Sequence, residues 1–373
     1  MPKITVGVVF GGRSVEHEIS LLSAKSILKN LDLKKYSAFP MFIEKNGTWR
    51  KASVDGWLRD GGLEIFNNSF LSPSLNPEKP VFYEIKANRV EREHKVDVLF
   101  PVLHGTYGED GTVQGLFELM GVPFVGASVL GSSVGMDKIV MKTMFRESGL
   151  PVVNFMGFYS HEWESRKHEI KRRVLEEITI PCFVKSANLG SSVGITKVKT
   201  EYDLERAVDF ARNFAQRIIV ERAVLNPQEV EVSVLGNIHP IASLPGEIIP
   251  KREFYDYIAK YSEDSTELIA PANLEKVIVE RFQEYAIRAF KAIDCEGRGR
   301  VDFLLEKTTG EIFISEINTI PGFTQISMYP KLWEVSGIKY PELISKLIDL
   351  AIERHGIKKK LRTDIAAEVE LPD

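Results

Sequence analysis

The first apolar run, Ile4 to Phe10, is nearly continuous and rich in β-branched residues, which predicts a buried strand. Gly11-Gly12-Arg13-Ser14 then interrupts it, and Ile19, Leu22, Ser26 and Ile27 recur at helical spacing. This reads as strand, glycine turn and helix, with Ser14 as N-cap and Glu16 in the first helical turn, where the macrodipole favours an anion. A second strand is expected over residues 38–43, with Asn46-Gly47 as a hairpin signal. Residues 44–95 have no steady period and carry no assigned chemistry. A further strand over residues 97–103 feeds His104-Gly105-Thr106-Tyr107-Gly108-Glu109-Asp110-Gly111 and a helix through Gln114, Leu116 and Met120. Strands alternating with helices predict an α/β fold that begins with an open parallel sheet. The ligand crevice of such a sheet lies beyond the carboxyl ends of its strands, where His104 stands.

Ala127-Ser128 marks the first expected boundary, and Met136-Asp137-Lys138 opens a helix. Two strands, 182–185 and 195–198, enclose Ala187-Asn188-Leu189-Gly190-Ser191-Ser192-Val193-Gly194. An apolar strand over residues 217–220 ends at Glu221, and Glu229 to Leu235 begins by alternating acid with aliphatic. The stretch from 247 to 273 carries Tyr255, Tyr257, Lys260 and Tyr261 and reads as an active-site lid. Residues 300–306 and 312–318 alternate with period two around Lys307-Thr308-Thr309-Gly310-Glu311, a hairpin with glycine at positive φ. An amphipathic helix over residues 340–354 precedes a charged tail. Four parts are expected: an α/β domain over residues 1–126, two subdomains over 127–221 and 222–356, and a tail over 357–373.

Composition narrows the partners. The 48 basic and 52 acidic residues are well mixed, so no field favours nucleic acid or an anionic membrane. Small molecules are the expected partners. Cys182 and Cys295 are the only cysteines, which argues against a disulfide framework or a zinc-thiolate site and fits a reducing cytoplasm. The chain has no run of about 18 apolar residues, the length a membrane span requires.

Chemistry concentrates in the hairpin. With Thr308 to Gly310 as its loop, Asp302 faces Glu316 and Arg300 faces Asn318. Two carboxylates side by side need a neutralising cation, and an oxygen-only ligand set suits magnesium better than zinc. For a lone hairpin, a solvated face with Arg–Asp and Arg–Glu pairs is the ordinary alternative. Here the segment runs on into Asn318-Thr319-Ile320-Pro321-Gly322, a turn whose glycine lets backbone N–H groups approach a ligand. The glycine-serine loop at 187–194 is a backbone cradle for phosphate, with Lys185 supplying a point charge. Lys138 is a second phosphate candidate, although a helix lysine is ordinarily just solvated.

Together these pieces resemble the ATP-grasp enzymes, and among them the D-alanine–D-alanine ligase family, over nearly the whole chain. The resemblance rests on Phe10-Gly11-Gly12-Arg13-Ser14, the glycine-serine loop, the acidic strand end, the tyrosine-lysine lid and the Arg300-x-Asp302…Glu316-x-Asn318-x-x-Pro321-Gly322 hairpin. It implies a two-subdomain ATP-grasp fold after the N-terminal sheet. It also implies ATP-dependent joining of two D-alanines through a D-alanyl phosphate, in a cytoplasmic homodimer, for cell-wall precursor synthesis. By that resemblance Asp302, Glu316 and Asn318 are ligands of two magnesium ions, or of manganese in their place. Lys138, Lys185, Ser192, Glu221, Glu229 and Lys260 become ATP contacts; His104, Ser327 and Met328 become D-alanine contacts. Glu16, Ser191 and Tyr261 form a hydrogen-bonded triad, while Arg300 and the Gly322 N–H stabilise the oxyanion. Ser186, Gln228 and Ile258 depart from the residues common at those positions. Tyr261 favours an amine nucleophile over the hydroxyl of a D-alanine–D-lactate ligase. Intact metal ligands and Arg300 argue against a regulatory protein on a decayed fold of this kind.

Overall fold

The computed structural model describes residues 2–59, 61–190, 194–250 and 266–362. The first sheet has the order β4-β3-β2-β1-β8, with β1 (Ile4–Gly11), β2 (Tyr36–Ile43), β3 (Trp49–Ser53), β4 (Glu64–Ile65) and β8 (Val98–Pro101). β1 pairs in parallel with both β2 and β8, as the alternation of strands and helices predicts. β3 and β4 then extend the edge in antiparallel fashion through the Asn46-Gly47 turn. Residues 44–95 are thus largely structured, since β5 (Phe70–Pro73), β6 (Val81–Lys86) and β7 (Arg89–Lys95) form a small sheet of their own. Phe82 stacks on Trp49 at 5.9 Å and joins it to the first sheet.

Alternation along β1 divides its side chains between two cores. Val6, Val8 and Phe10 pack with Ile27 and Leu28 of helix α1 (His17–Asn30), while Val9 packs with Met41, Leu99 and Phe117 on the other face. A short helix, α2 (Asp55–Leu58), lies after β3, and α3 (Thr112–Met120) supplies Phe117. Each such buried side chain stabilises the fold by roughly 1.5–3 kcal/mol. Ser14 does not cap α1. Glu16 occupies the N-cap position and its own N–H donates to Ser14 Oγ at 3.1 Å, so the loop carries two residues more before the helix than the spacing predicts.

Two helices follow the Ala127-Ser128 junction where the sequence predicts one. Ser128 caps α4 (Val129–Met136), then Asp137 turns extended and caps α5 (Lys138–Glu147) through Ile139 and Val140 N–H. The second sheet has the order β11-β10-β12-β9, from β9 (Phe155–Tyr159), β10 (Cys182–Ser186), β11 (Thr196–Val198) and β12 (Arg217–Arg222). α6 (Ser160–Arg173) and α7 (Asp203–Ala211) cover it with Trp163 and Leu204.

The third sheet runs β16-β15-β13-β17-β18, with β14 on β13. Its strands are β13 (Pro227–Gly236), β14 (Ile241–Ala242), β15 (Gly246–Pro250), β16 (Thr266–Ile269), β17 (Gly297–Glu306) and β18 (Ile312–Asn318). α8 (Lys276–Ala292) and α5 bury one face of it, placing Phe282, Phe290, Met141 and Phe145 against Val232, Val301, Phe303 and Ile314. α9 (Met328–Val335) comes next, then α10 (Tyr340–Lys358), longer than predicted, lays Leu343, Ile344, Leu347 and Ile348 back on the first sheet. The expected lid is described at its ends only, as β15 and β16, which pair antiparallel. Most of the expected tail lies outside the described residues.

Candidate active site

The hairpin β17–β18 sets the frame. Arg300 pairs with Asn318 and Asp302 with Glu316, the register predicted from sequence, but it is reached by another route. Leu305 opposes Ile312, and Glu306 N–H donates to Glu311 O at 2.9 Å, so the loop has four residues, Lys307 to Gly310, with Gly310 at φ 73. A bulge at Ser315 restores the offset by one. It also reverses the facing of the strand beyond it. Ile312 and Ile314 are buried, and unbroken alternation would bury Glu316 with them; after the bulge Ile317 is buried instead, and Glu316 and Asn318 lie half-buried on the opposite face.

Cations surround the two acids. Arg300 donates from Nε to Asp302 Oδ1 and from Nη2 to Oδ2, both at 2.7 Å, and its Nε lies 3.0 Å from Glu231 Oε2 of β13. Burial would lower Arg300, yet Asp302 and Glu231 hold it well above its usual value. Lys138 Nζ stands 3.2 Å from Glu316 Oε2 and donates to Leu189 O at 2.9 Å, tying α5 to the glycine-serine loop. Asn318 Oδ1 accepts from Ile320 N–H at 2.9 Å and so shapes the turn toward Gly322.

A second cluster of charge lies between β12, β10 and α5. Glu221 is buried, with Lys185 Nζ at 2.7 Å from Oε2 and Lys142 Nζ at 3.5 Å from Oε1. Burial would raise Glu221; Lys142 and Lys185 outweigh it and hold the carboxyl below its usual range. Burial drives Lys142 downward, with Glu221 opposing. Asp137 pairs with Arg217, which fixes the start of α5 against β12.

The third cluster sits at the ends of β1 and β8. His104 is buried, with Nδ1 2.9 Å from Ile320 O and Nε2 3.1 Å from Ser23 Oγ, and burial lowers its pKa. Ser23 Oγ also accepts from Phe323 N–H at 3.3 Å. The turn that presents Gly322 is therefore held from the N-terminal side by His104 and Ser23. Glu16 lies against both flanking loops, because a Cβ on Gly105 would stand 2.6 Å from Glu16 Oε2 and one on Gly190 3.4 Å.

An α/β chain with this hairpin, these lysines and this cradle can be set beside known proteins. The model described as D-ala D-ala ligase N-terminus matches residues 5–127, and the one described as D-ala D-ala ligase C-terminus matches residues 144–349. The chain belongs to the D-alanine–D-alanine ligase family. A D-alanine–D-alanine ligase of Heliobacterium modesticaldum is 47% identical over 367 residues, covering 98% of this chain and 99% of that protein. The solved structure of the Coxiella burnetii D-alanine–D-alanine ligase superposes with TM-score 0.83 at 37% identity, over 96% of this chain and 97% of that one. The VanG D-Ala:D-Ser ligase of Enterococcus faecalis gives TM-score 0.82 at 35% identity, over 94% of this chain and 100% of that one. These ligases have the ATP-grasp fold, and the two sheets that come after the N-terminal domain here are its two halves.

Within this ligase-family frame, the remaining predicted positions divide. Ser191, Ser192, Lys260 and Tyr261 lie outside the described residues. Glu229 stands on β13 opposite Leu304, two residues from Glu231 and on the same face. Ser327 precedes α9, and its Oγ accepts from Thr324 N–H at 3.1 Å. A Cβ on Gly322 would come within 3.2 Å of that oxygen, so a side chain there would press on the Ser327 hydroxyl. The Met328 side chain packs against Ile248 and Leu332.

Four residues at the site were given no role by sequence reasoning. Lys142 and Glu231 carried a signal: the first lies one turn after Lys138 on an apolar face, the second continues the alternation from Glu229. Glu109 and Arg298 carried none. Glu109 accepts from Gly105 N–H at 2.6 Å, and burial, with Glu16 nearby, pushes its pKa up to about 8. Arg298 is fully buried between Phe100 and Phe323, 5.3 Å from each ring, and donates to Pro101 O. Burial lowers it to about 10.

Proposed function

We propose that the chain joins two D-alanines at the expense of ATP, giving D-alanyl-D-alanine, ADP and phosphate for peptidoglycan precursors. The observation that carries this reading is the hairpin patch: two carboxylates and an amide in register, ringed by Arg300 and Lys138, beside a turn that ends in Gly322.

The donor set suits a hard divalent cation, because all three candidate ligands are oxygens on the cleft face of one hairpin. Asp302, Glu316 and Asn318 would hold magnesium, and the ions would neutralise phosphate oxygens during transfer. The rest falls to the chain's own groups. Lys138 and Lys185 would draw the nucleotide phosphates against the 187–194 loop, while Glu221 and Glu229 would meet the adenosine. Glu16 would hold the ammonium of the first D-alanine, with His104 positioning the turn beside it. The first carboxylate takes the γ-phosphoryl group to become an acyl phosphate, since a free carboxylate is a poor electrophile. The second amine then attacks, and Arg300 with the Gly322 N–H would stabilise the tetrahedral oxyanion. Ser327 and the Met328 N–H would receive the second carboxylate. Lys260 and Tyr261 would close over the intermediate and exclude water, Tyr261 completing a triad with Glu16 and Ser191.

Phosphate release with ATP, magnesium and D-alanine tests the reading, with L-alanine, D-serine and D-lactate as alternatives. Release that depends on D-alanine, with dipeptide as product, is expected. Equal or faster turnover with D-serine or D-lactate as the second substrate would contradict it. We further propose a cytoplasmic homodimer, which sedimentation of the purified protein would check. Among the described residues no helix is long and apolar enough to cross a membrane.

A further inference from the structure

α5 presents Lys142 one helical turn beyond Lys138, among side chains that belong to the core beneath the third sheet. An ammonium group is costly there unless something pairs with it. Its side chain is 1% exposed, and Nζ lies 3.5 Å from Glu221 Oε1 and 3.5 Å from the carbonyl oxygen of Ile314. Lys142 therefore joins three elements: α5, β12 with Glu221, and β18 two residues before Glu316.

The other oxygen of the same carboxylate belongs to Lys185, at 2.7 Å. One buried acid thus serves two ammonium groups, and the two are not equivalent. Lys185 lies near the end of the strand that runs into the glycine-serine loop and is 13% exposed, so it can turn to an arriving phosphate. Lys142 is sealed in. Once Lys185 moves, Glu221 has no other short ion pair than Lys142 among the described residues. A buried carboxylate without a counter-charge would take up a proton or turn away from the cleft.

We propose that Lys142 is a positioning residue for the nucleotide: it keeps Glu221 charged and aimed at the adenine amine while Lys185 leaves Glu221 for the phosphates. The inference rests on the reading that Lys185 and Glu221 meet ATP.

The test is ATP affinity of the full chain with magnesium and without D-alanine, measured by calorimetry, alongside inosine triphosphate, which lacks the amine. Lys142→Met should weaken ATP binding by about tenfold or more and inosine triphosphate by much less, while the KM for D-alanine stays within about twofold. In a Glu221→Gln background there is no charge to hold, so adding Lys142→Met should cost less than about threefold. Equal losses in both backgrounds, or wild-type ATP affinity in Lys142→Met, overturn the proposal. Where the single variant does not fold, Glu221→Gln against the double variant decides by the same threefold limit. The underlying reading fails separately: wild-type ATP affinity in Glu221→Gln removes Glu221 from the nucleotide site and takes the proposal with it. A loss in Glu221→Gln with none in Lys142→Met defeats the proposal alone.

Discussion

Two groups of acids lie within this cleft, and the protein treats them in opposite ways. On the hairpin, Asp302 and Glu316 stand opposite one another with Arg300 and Lys138 at 2.7 and 3.2 Å. At the ends of β1 and β8, Glu16 and Glu109 share a buried space in which the cation, Arg298, spends itself on Pro101 O and two aromatic rings. The first pair has cations placed beside it. In the second, one acid is held protonated, with Glu109 pushed up to about 8. On the proposed reading, a site for divalent cations needs carboxylates ready to exchange protein partners for metal, whereas a loop that holds substrate gains from a neutral acid that fastens its backbone.

The sharpest way to break this contrast is Glu316→Gln. Bridging cations needs a full charge, so ligation should fall by at least about a thousandfold, read as initial rate of phosphate release at saturating D-alanine. Near-normal rates would make the hairpin acids ordinary surface charges. Glu231→Gln should act less strongly, since Arg300 keeps its bidentate bond to Asp302 and loses only one neighbour. A fall of roughly tenfold to a hundredfold in kcat, with little change in KM for ATP, is expected.

Glu109→Gln addresses the other side of the comparison through pH. Because the folded pKa is raised from 4.5 to about 8, the folded protein retains a proton that the unfolded chain has released. Glu109 therefore costs stability progressively as pH rises from about 4.5 through about 8, and the cost is complete above that range. The amide has no such dependence. Melting temperature should fall less steeply between pH 6 and 9 in the variant than in wild type, and parallel curves would show that Glu109 does not titrate there. Thr308→Ala, in the exposed hairpin loop, should leave rate and stability within about 0.5 kcal/mol of wild type, which sets the baseline for the other three.

The comparison also explains what the sequence could reveal. Strand periodicity placed Arg300, Asp302, Glu316 and Asn318 on one face because side-chain direction is a local property of strands. The Ser315 bulge was not legible, yet a loop one residue longer than assumed and a bulge of one residue cancel, so the opposition of Asp302 and Glu316 came out right. The first strand, the Asn46-Gly47 turn and the helix after His104 were likewise local signals. Arg298 and the ties from His104 and Ser23 to Ile320 and Phe323 join segments about 200 to 300 residues apart. No spacing encodes them. Lys142 falls between these cases: a lysine on an apolar helical face announces a buried partner without saying which one.

The reaction and the contrast both require that the hairpin acids, set in register, hold divalent cations. Manganese binding, counted by the loss of its free electron paramagnetic resonance signal with a non-hydrolysable ATP analogue present, tests it without turnover. Two ions per chain are expected for the unaltered protein and at most one for Glu316→Gln, with ATP-analogue binding otherwise retained. Equal manganese binding by the two proteins would contradict it.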